Sequence, residues 1–399
     1  MVGAVLFNIQ IGPLTPILVV ASVGAFVLLR WERLFPLFLE SWPLLLLPVF
    51  ACASAAWSEI PGTSIYYAVL FGLTIIAGIM MGGGTQTRSL VVGMFIAFAI
   101  YNITSTFLGR SVGWGEGAGD AFAGLAASKN AFGDFTGLAI ISTLAALALF
   151  AKERRVLPVV ACIALLPVMA SNLLDTRATS ALLATMAAVG CLTLLLVSRS
   201  LPLQARTGIL VAALLASLVA LVTLDFWLPP LFETLLEVTG KDEGLTGRVD
   251  LWAFGQTIMN ESPLLGLGYN AFWVHGNPGA EYLWDMMGIG SRSGFSFHNT
   301  FIEIRIHNGW VGLVLFLAIW TYAAIRLLAK VVLTPTIGLI TASAMVIFLA
   351  LKLQFEVVGY STMHFSTILL FAALALGLRT AQSKDPGLAT SGARAFPAG

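Results

Sequence analysis

The stretch Ser296–Trp310, SFHNTFIEIRIHNGW, packs two histidines, a glutamate and an arginine into the approach to a long apolar run. Thr300-Phe301-Ile302-Glu303 fits a capping box, with Thr300 as N-cap and Glu303 reaching back. The spacing predicts a helix that starts near Thr300, with Arg305 and His307 one to two turns inside. His298 and Asn299 then sit on its lip. Helix N-termini offer free N–H groups and a positive dipole end, so this lip is suited to an anion. His298 has the right side chain for a general base, because imidazole titrates near neutral pH. Glu303 is the alternative base, with His298 then holding the anion; as a third reading it is only the capping partner. Asn299 is expected to cap or orient.

Arginine is the cation whose shape and permanent charge match phosphate oxygens. Arg248 opens an amphipathic segment with Trp252 one turn on, and its plain alternative is a solvated loop arginine. Arg177 lies in LLDTRATS, where pairing with Asp175 is the plain alternative. Arg305, inside a span, is a functional candidate because an intramembrane charge is costly; the alternatives are a salt bridge to Glu303 or snorkelling. Lys129 follows Ser128, an N-cap candidate, and would otherwise anchor at the membrane edge. Arg292 ranks below these, in a Gly/Ser-rich piece. His307 reads as packing, His275 as solvated, and His364 as a residue able to line a cavity. Lys352 and Glu356 are i,i+4 and are expected to form a structural pair within one helix.

These groups need a scaffold, and the composition names it. The 399 residues are 58% hydrophobic and 10% charged, with a mean hydropathy of +0.92. Such a chain cannot cover itself with polar groups and must use lipid as solvent, crossing it as helices. The reading is an all-α, polytopic membrane protein of about eleven spans: 14–29, 43–57, 65–83, 89–108, 131–151, 156–173, 178–198, 208–228, 301–325, 336–354 and 361–379. Residues 1–29 hold two short helices in an alternative reading, making twelve. No basic stretch precedes the first run, so a cleaved signal peptide is not expected. Arg30, Arg88, Lys152, Arg199, Arg326 and Lys384 mark alternate loops as cytoplasmic, and the C-terminus with them. One membrane domain covers 1–384; the Gly/Ala/Ser/Pro-rich tail 385–399 is expected to be disordered. The opposite loops are short except 229–299, between the eighth and ninth spans, whose apolar spacing predicts that it folds. Net charge is +1, which leaves no basic footprint for nucleic acid. Cys52, Cys162 and Cys191 lie in apolar runs and read as buried hydrophobes. No cofactor and no metal are expected, because no Asp-x-Asp pair occurs on the outer side.

Several segments resemble the O-antigen ligase and polysaccharide polymerase superfamily, rhizobial-type exopolysaccharide polymerases included. They are Gly247-Arg248 with Trp252, Pro263-Leu264-Leu265-Gly266-Leu267-Gly268, His298-Asn299, and Gly309 with Gly312. WSEIPGTS from Trp57, ASKNAFG from Ala127 and DTRATSALLA from Asp175 are similar to its other outer loops. The resemblance implies twelve helices and metal-independent glycan transfer at the periplasmic face of the bacterial inner membrane. The donor would be a polyprenyl-pyrophosphate glycan, and the acceptor lipid A-core or a second lipid-linked glycan. It points to Arg248, Arg177, Arg305 and Lys129 for the pyrophosphate, His298 or Glu303 for the acceptor proton, and Trp252 and Asn299 for glycan. Ligase and polymerase stay open. A flippase or secondary transporter is the rival class, but no inverted repeat is evident and the charges gather on one side.

Overall fold

The computed structural model describes residues 2–113, 120–223, 226 and 247–380. The protein is an all-α polytopic membrane protein. Helices α1 (Val2–Leu6) and α2 (Asn8–Ile11) lead into α3 (Leu14–Arg30), α4 (Leu34–Ala53), α5 (Pro61–Gly84) and α6 (Thr87–Leu108). A small antiparallel ribbon follows, β1 (Arg110–Gly113) with β2 (Asp120–Gly124). Next come α7 (Lys129–Lys152), α8 (Val156–Asp175), α9 (Thr179–Ser198) and α10 (Leu203–Val222). Two helices belong to the long loop, α11 (Arg248–Glu261) and α12 (Pro278–Met286). The chain closes with α13 (Thr300–Leu333), α14 (Ile337–Lys352) and α15 (Phe365–Leu378).

Each expected span falls on a helix. Among the described residues, seven stretches are long and apolar enough to cross a membrane; Leu14–Ala56 runs through both α3 and α4, and Leu203–Ser217, α14 and α15 are apolar but shorter. At five and four residues, α1 and α2 are too short to add a twelfth span. The ribbon was not expected, because its residues lie in a loop short of strand periodicity. Residues 227–246 and 381–399 lie outside the described part, and with them the start of the long loop and the tail.

Burial sorts the helices by environment. Every residue of α15 is buried, and α14 is buried along nearly its whole length. A helix that is apolar all round is covered either by other helices or by lipid. For α15 the cover is chiefly α5, α13 and α14, and α14 in turn packs on α7 and α9. By contrast α8 exposes Val156, Leu157, Val160 and Ile163, as a lipid-facing helix does.

Helix α13 carries a break that positions the long loop. At 34 residues it would be about 51 Å long if straight, well beyond a ~30 Å hydrocarbon core. Gly309 interrupts it, with φ 62° and ψ −162°. The peptide groups freed there are taken up by Pro263–Gly268. Leu267 and Gly268 N–H groups donate to the Ile306 and His307 carbonyls at 2.8 and 3.0 Å, and Trp310 and Val311 N–H groups donate to Pro263 and Leu264 carbonyls at 2.9 and 3.1 Å. Non-helical backbone is tolerated at such a place only when it is satisfied this way. A Cβ on Gly266 would land on His307 and Asn308 backbone, and one on Gly309 on the Leu264 carbonyl. The early loop joins in: Trp57 Nε1 donates to Leu265 O at 3.1 Å, and Tyr269 N–H donates to Ser54 Oγ at 2.8 Å. Trp310–Leu333, about 36 Å long, suffices to cross the membrane. Arg305 sits on the short piece of α13 before the break.

Candidate active site

The helix lip is built differently from the expected capping box. Asn299 is the N-cap, its Oδ1 accepting from the Phe301 and Ile302 N–H groups at 3.0 and 3.2 Å. Thr300 instead ties the lip to the segment after α14. Its hydroxyl donates to Glu356 O at 2.8 Å and accepts from Val358 N–H at 2.9 Å. Glu303 reaches past the cap to the loop, accepting from Phe297 N–H at 3.0 Å and Trp273 Nε1 at 3.1 Å. Buried there, it braces the residue beside His298.

A cavity of about 510 Å³ opens at this lip. Its wall includes Ser128, Asn130 and Ala131 at the start of α7, Arg248 at the start of α11, and Phe365 and Ser366 at the start of α15. Three helix N-termini thus converge on it. Its ionisable side chains are Asp134, Arg248, His298, Lys352, Glu356 and His364.

Glu356 is the hub. Arg248 Nη2 lies 3.3 Å from one carboxylate oxygen, and His298 Nδ1 lies 3.1 Å from the other. Burial opposes its charge, but the His298 hydrogen bond, with the charges of His298, Lys352 and Arg248, outweighs it. The carboxyl is held down at about 2. His298 adopts a left-handed φ of 49°. Such a conformation costs energy and persists only where surroundings enforce it. Glu356 on Nδ1 and Ser296 Oγ on the His298 N–H, at 3.3 Å, are those surroundings. The other ring nitrogen, Nε2, is left for a ligand. His364 caps α15 with its imidazole and is pushed by burial down to about 4, against the pull of the Glu356 charge.

Lys352 ends α14 and does not pair with Glu356. The Glu356 N–H still donates to the Lys352 carbonyl at 2.9 Å, but the two side chains take different partners. Its Nζ lies 2.9 Å from Asp134 Oδ1 of α7 and 2.8 Å from Ser180 Oγ of α9. Lys352 is 1% exposed and Asp134 6% exposed, so three helices are pinned by a buried ion pair on the cavity floor. Neither Asp134 nor the separate partners of Lys352 and Glu356 were legible beforehand, because these contacts join residues far apart in sequence.

The other sequence candidates are dispersed. Arg177 lines a separate open cavity with Asp120 and Asp175. Arg305 lies over the Trp310 ring, 4.0 Å from its centroid, and is not in the wall of the charged cavity. Trp252 uses its indole N–H on Phe297 O at 2.8 Å. Lys129 begins α7, next to wall residues Ser128 and Asn130. Arg292 is paired with Glu281 and with Asp285. His307 is buried with its Nε2 3.6 Å from Glu303 Oε1, and His275 is exposed. Among the described residues, no group of three or more His, Cys, Asp or Glu side chains is placed to hold a metal ion.

A polytopic helical membrane protein with a charged cavity under a folded loop is the class so defined. Residues 164–317 match the O-antigen ligase family model. The chain is also 32% identical, over 268 residues, to the exopolysaccharide production protein ExoQ of Rhizobium meliloti (strain 1021). That similarity covers 67% of this chain and 60% of the relative, so the chain spans less than two thirds of the relative's length. Both findings support the O-antigen ligase and polysaccharide polymerase superfamily.

Proposed function

We propose that the protein is a glycosyltransferase that moves a glycan from a polyprenyl-pyrophosphate donor to an acceptor hydroxyl, at the periplasmic face of the bacterial inner membrane with the C-terminus in the cytoplasm. The observation that carries this reading is the Arg248–Glu356–His298 cluster at the helix-lined cavity. Glu356 on Nδ1 fixes the imidazole so that Nε2 faces the acceptor, the relation of base and orienting carboxylate seen in hydrolytic triads. The acceptor oxygen attacks the anomeric carbon while the bond to the pyrophosphate oxygen breaks. The bonding electrons leave with the polyprenyl pyrophosphate, and the hydroxyl proton passes to His298 Nε2. Arg248 and Lys352, with the three helix N-termini, face the charge that grows on the leaving group. These side chains supply the positive charge that other transferases draw from a divalent metal, and no cofactor is required. The apolar helices accommodate the polyprenyl tail.

ExoQ is named for exopolysaccharide production, which favours polymerisation, with a second lipid-linked glycan as acceptor. The family model is named for O-antigen ligase, which keeps lipid A-core as the other acceptor. Arg248→Ala and His298→Ala should each abolish transfer at unchanged membrane abundance. Near-normal transfer by either variant would overturn the assignment.

A further inference from the structure

A second cavity, of about 590 Å³, lies on the far side of the loop and shares no wall residue with the charged one. Helix α11 joins the two. Arg248 at its start faces the first cavity, and Phe254, Thr257 and Glu261 further along line the second. By helix rise the two ends are about 20 Å apart. Glu59, from the loop between α4 and α5, closes the second cavity from the opposite side.

The chemistry of the two cavities is opposite. No arginine or lysine lines the second one, while Glu59 and Glu261 do and both are exposed. A pyrophosphate would meet like charge there. An uncharged ring bearing hydroxyls would meet matching groups instead. Phe254 offers a half-buried aromatic face, backed by Tyr282 with ring centroids 5.2 Å apart and planes at 27°. Asn277 commits its oxygen to the Gly279 and Ala280 N–H groups at 3.0 and 3.1 Å, leaving its NH₂ to donate. Thr257 donates to the Phe254 carbonyl at 2.7 Å, leaving its oxygen to accept. The two carboxylates accept from hydroxyls through charge-assisted bonds.

We infer that the second cavity is a saccharide subsite, which holds an uncharged oligosaccharide several rings away from the reacting carbon. The inference rests on the transfer reading above. The saccharide belongs either to the donor or to the acceptor chain, and the chemistry is the same for both.

The test is hydroxyl-radical footprinting of the full-length protein in lipid nanodiscs. One probe is the lipid-free oligosaccharide released by mild acid from the host's lipid-linked pool; the other is inorganic pyrophosphate. The saccharide should protect the wall residues Phe254 and His275 and leave His298 unchanged, whereas pyrophosphate should do the reverse. Glu59→Gln with Glu261→Gln, surface changes on two separate segments, should raise the half-protecting saccharide concentration roughly tenfold. Phe254→Ala should do the same, at the upper end for one aromatic face. Lack of saccharide protection at Phe254 and His275 up to ~10 mM, beyond a weak ~1 mM site, overturns the subsite. Lack of pyrophosphate protection at His298 counts against the transfer site alone, so the two failures are separable. Intact lipid-linked donor that displaces the free saccharide assigns the subsite to the donor glycan. Donor that leaves it bound assigns it to the acceptor, and both results uphold the subsite.

Discussion

Replacing Lys352 by methionine keeps the length of the side chain and removes its charge. Asp134, 6% exposed, then loses a cation at 2.9 Å and Ser180 loses a donor at 2.8 Å. Breaking a buried pair from one side typically costs about 3–5 kcal/mol, because the surviving charge is left without compensation. Asp134→Asn alone strands the ammonium and should cost a similar amount. The double variant Asp134→Asn/Lys352→Met buries no charge, and an uncharged replacement of similar volume should fall within about 1–2 kcal/mol of the wild type. The cycle therefore predicts a large favourable coupling between the two positions. Thermal unfolding in detergent, followed by tryptophan fluorescence, reads all four proteins: a fall of several degrees in each single variant and near-recovery in the double. Transfer activity should not recover with it, because the cavity has lost a cation beside the leaving group. A double variant as unstable as either single, or a Lys352→Met protein as stable as the wild type, would refute the reasoning.

Gly309→Ala should destabilise by about 1–3 kcal/mol from its backbone angles alone, with the collision at Leu264 added; Gly93→Ala, where a Cβ meets nothing within 4 Å, is the control for the same melting measurement. Glu356→Gln should lower kcat at least ~100-fold with little change in the donor KM, since it removes the group that orients the base, and His298→Gln should match it. Acid should lower the unfolding temperature in two windows. His364 is neutral in the native cavity with its value held at about 4, so the unfolded chain gains a proton first as pH drops below the ordinary 6.5, and stability falls between 6.5 and about 4. Glu356, held at about 2, gives stability that is complete above its ordinary 4.5 and lost between there and about 2. His364→Asn, which keeps a capping side chain, should make the first window shallower and Glu356→Gln the second. A melting profile unchanged in both windows in both variants would contradict the assignment.

The helices were legible because lipid demands long apolar runs, and their positions follow from that single requirement. Side-chain pairing was not legible where it depended on where a helix stops. Lys352 and Glu356 have ideal helical spacing, yet α14 ends at Lys352 and the turn sends them to different partners. The capping box failed for a related reason: Asn299 caps the helix one residue earlier, its carbonyl taking the Glu303 N–H, and Glu303 is drawn to the loop by Trp273. The break at Gly309 had a signal that could have been used. A glycine preceded by Asn, inside an apolar run, together with the Pro263–Gly268 segment, marks backbone in close approach. The gathering of Arg248, His298 and Glu356 had no local signal, since it depends on the meeting of α11, the lip of α13 and the turn after α14.

The most direct measurement is transfer by the purified protein in detergent, with a polyprenyl-pyrophosphate oligosaccharide as donor and with or without lipid A-core, and products read by gel and mass spectrometry. Wild type should form glycosylated product and release polyprenyl pyrophosphate, with a ladder from donor alone marking a polymerase and product only with lipid A-core a ligase. Arg248→Ala and His298→Ala should form none, and Glu356→Gln at most about one hundredth of the wild-type rate. Product at wild-type rate from any of the three variants, or donor crossing a liposome membrane with no transfer by the wild type, would contradict the account.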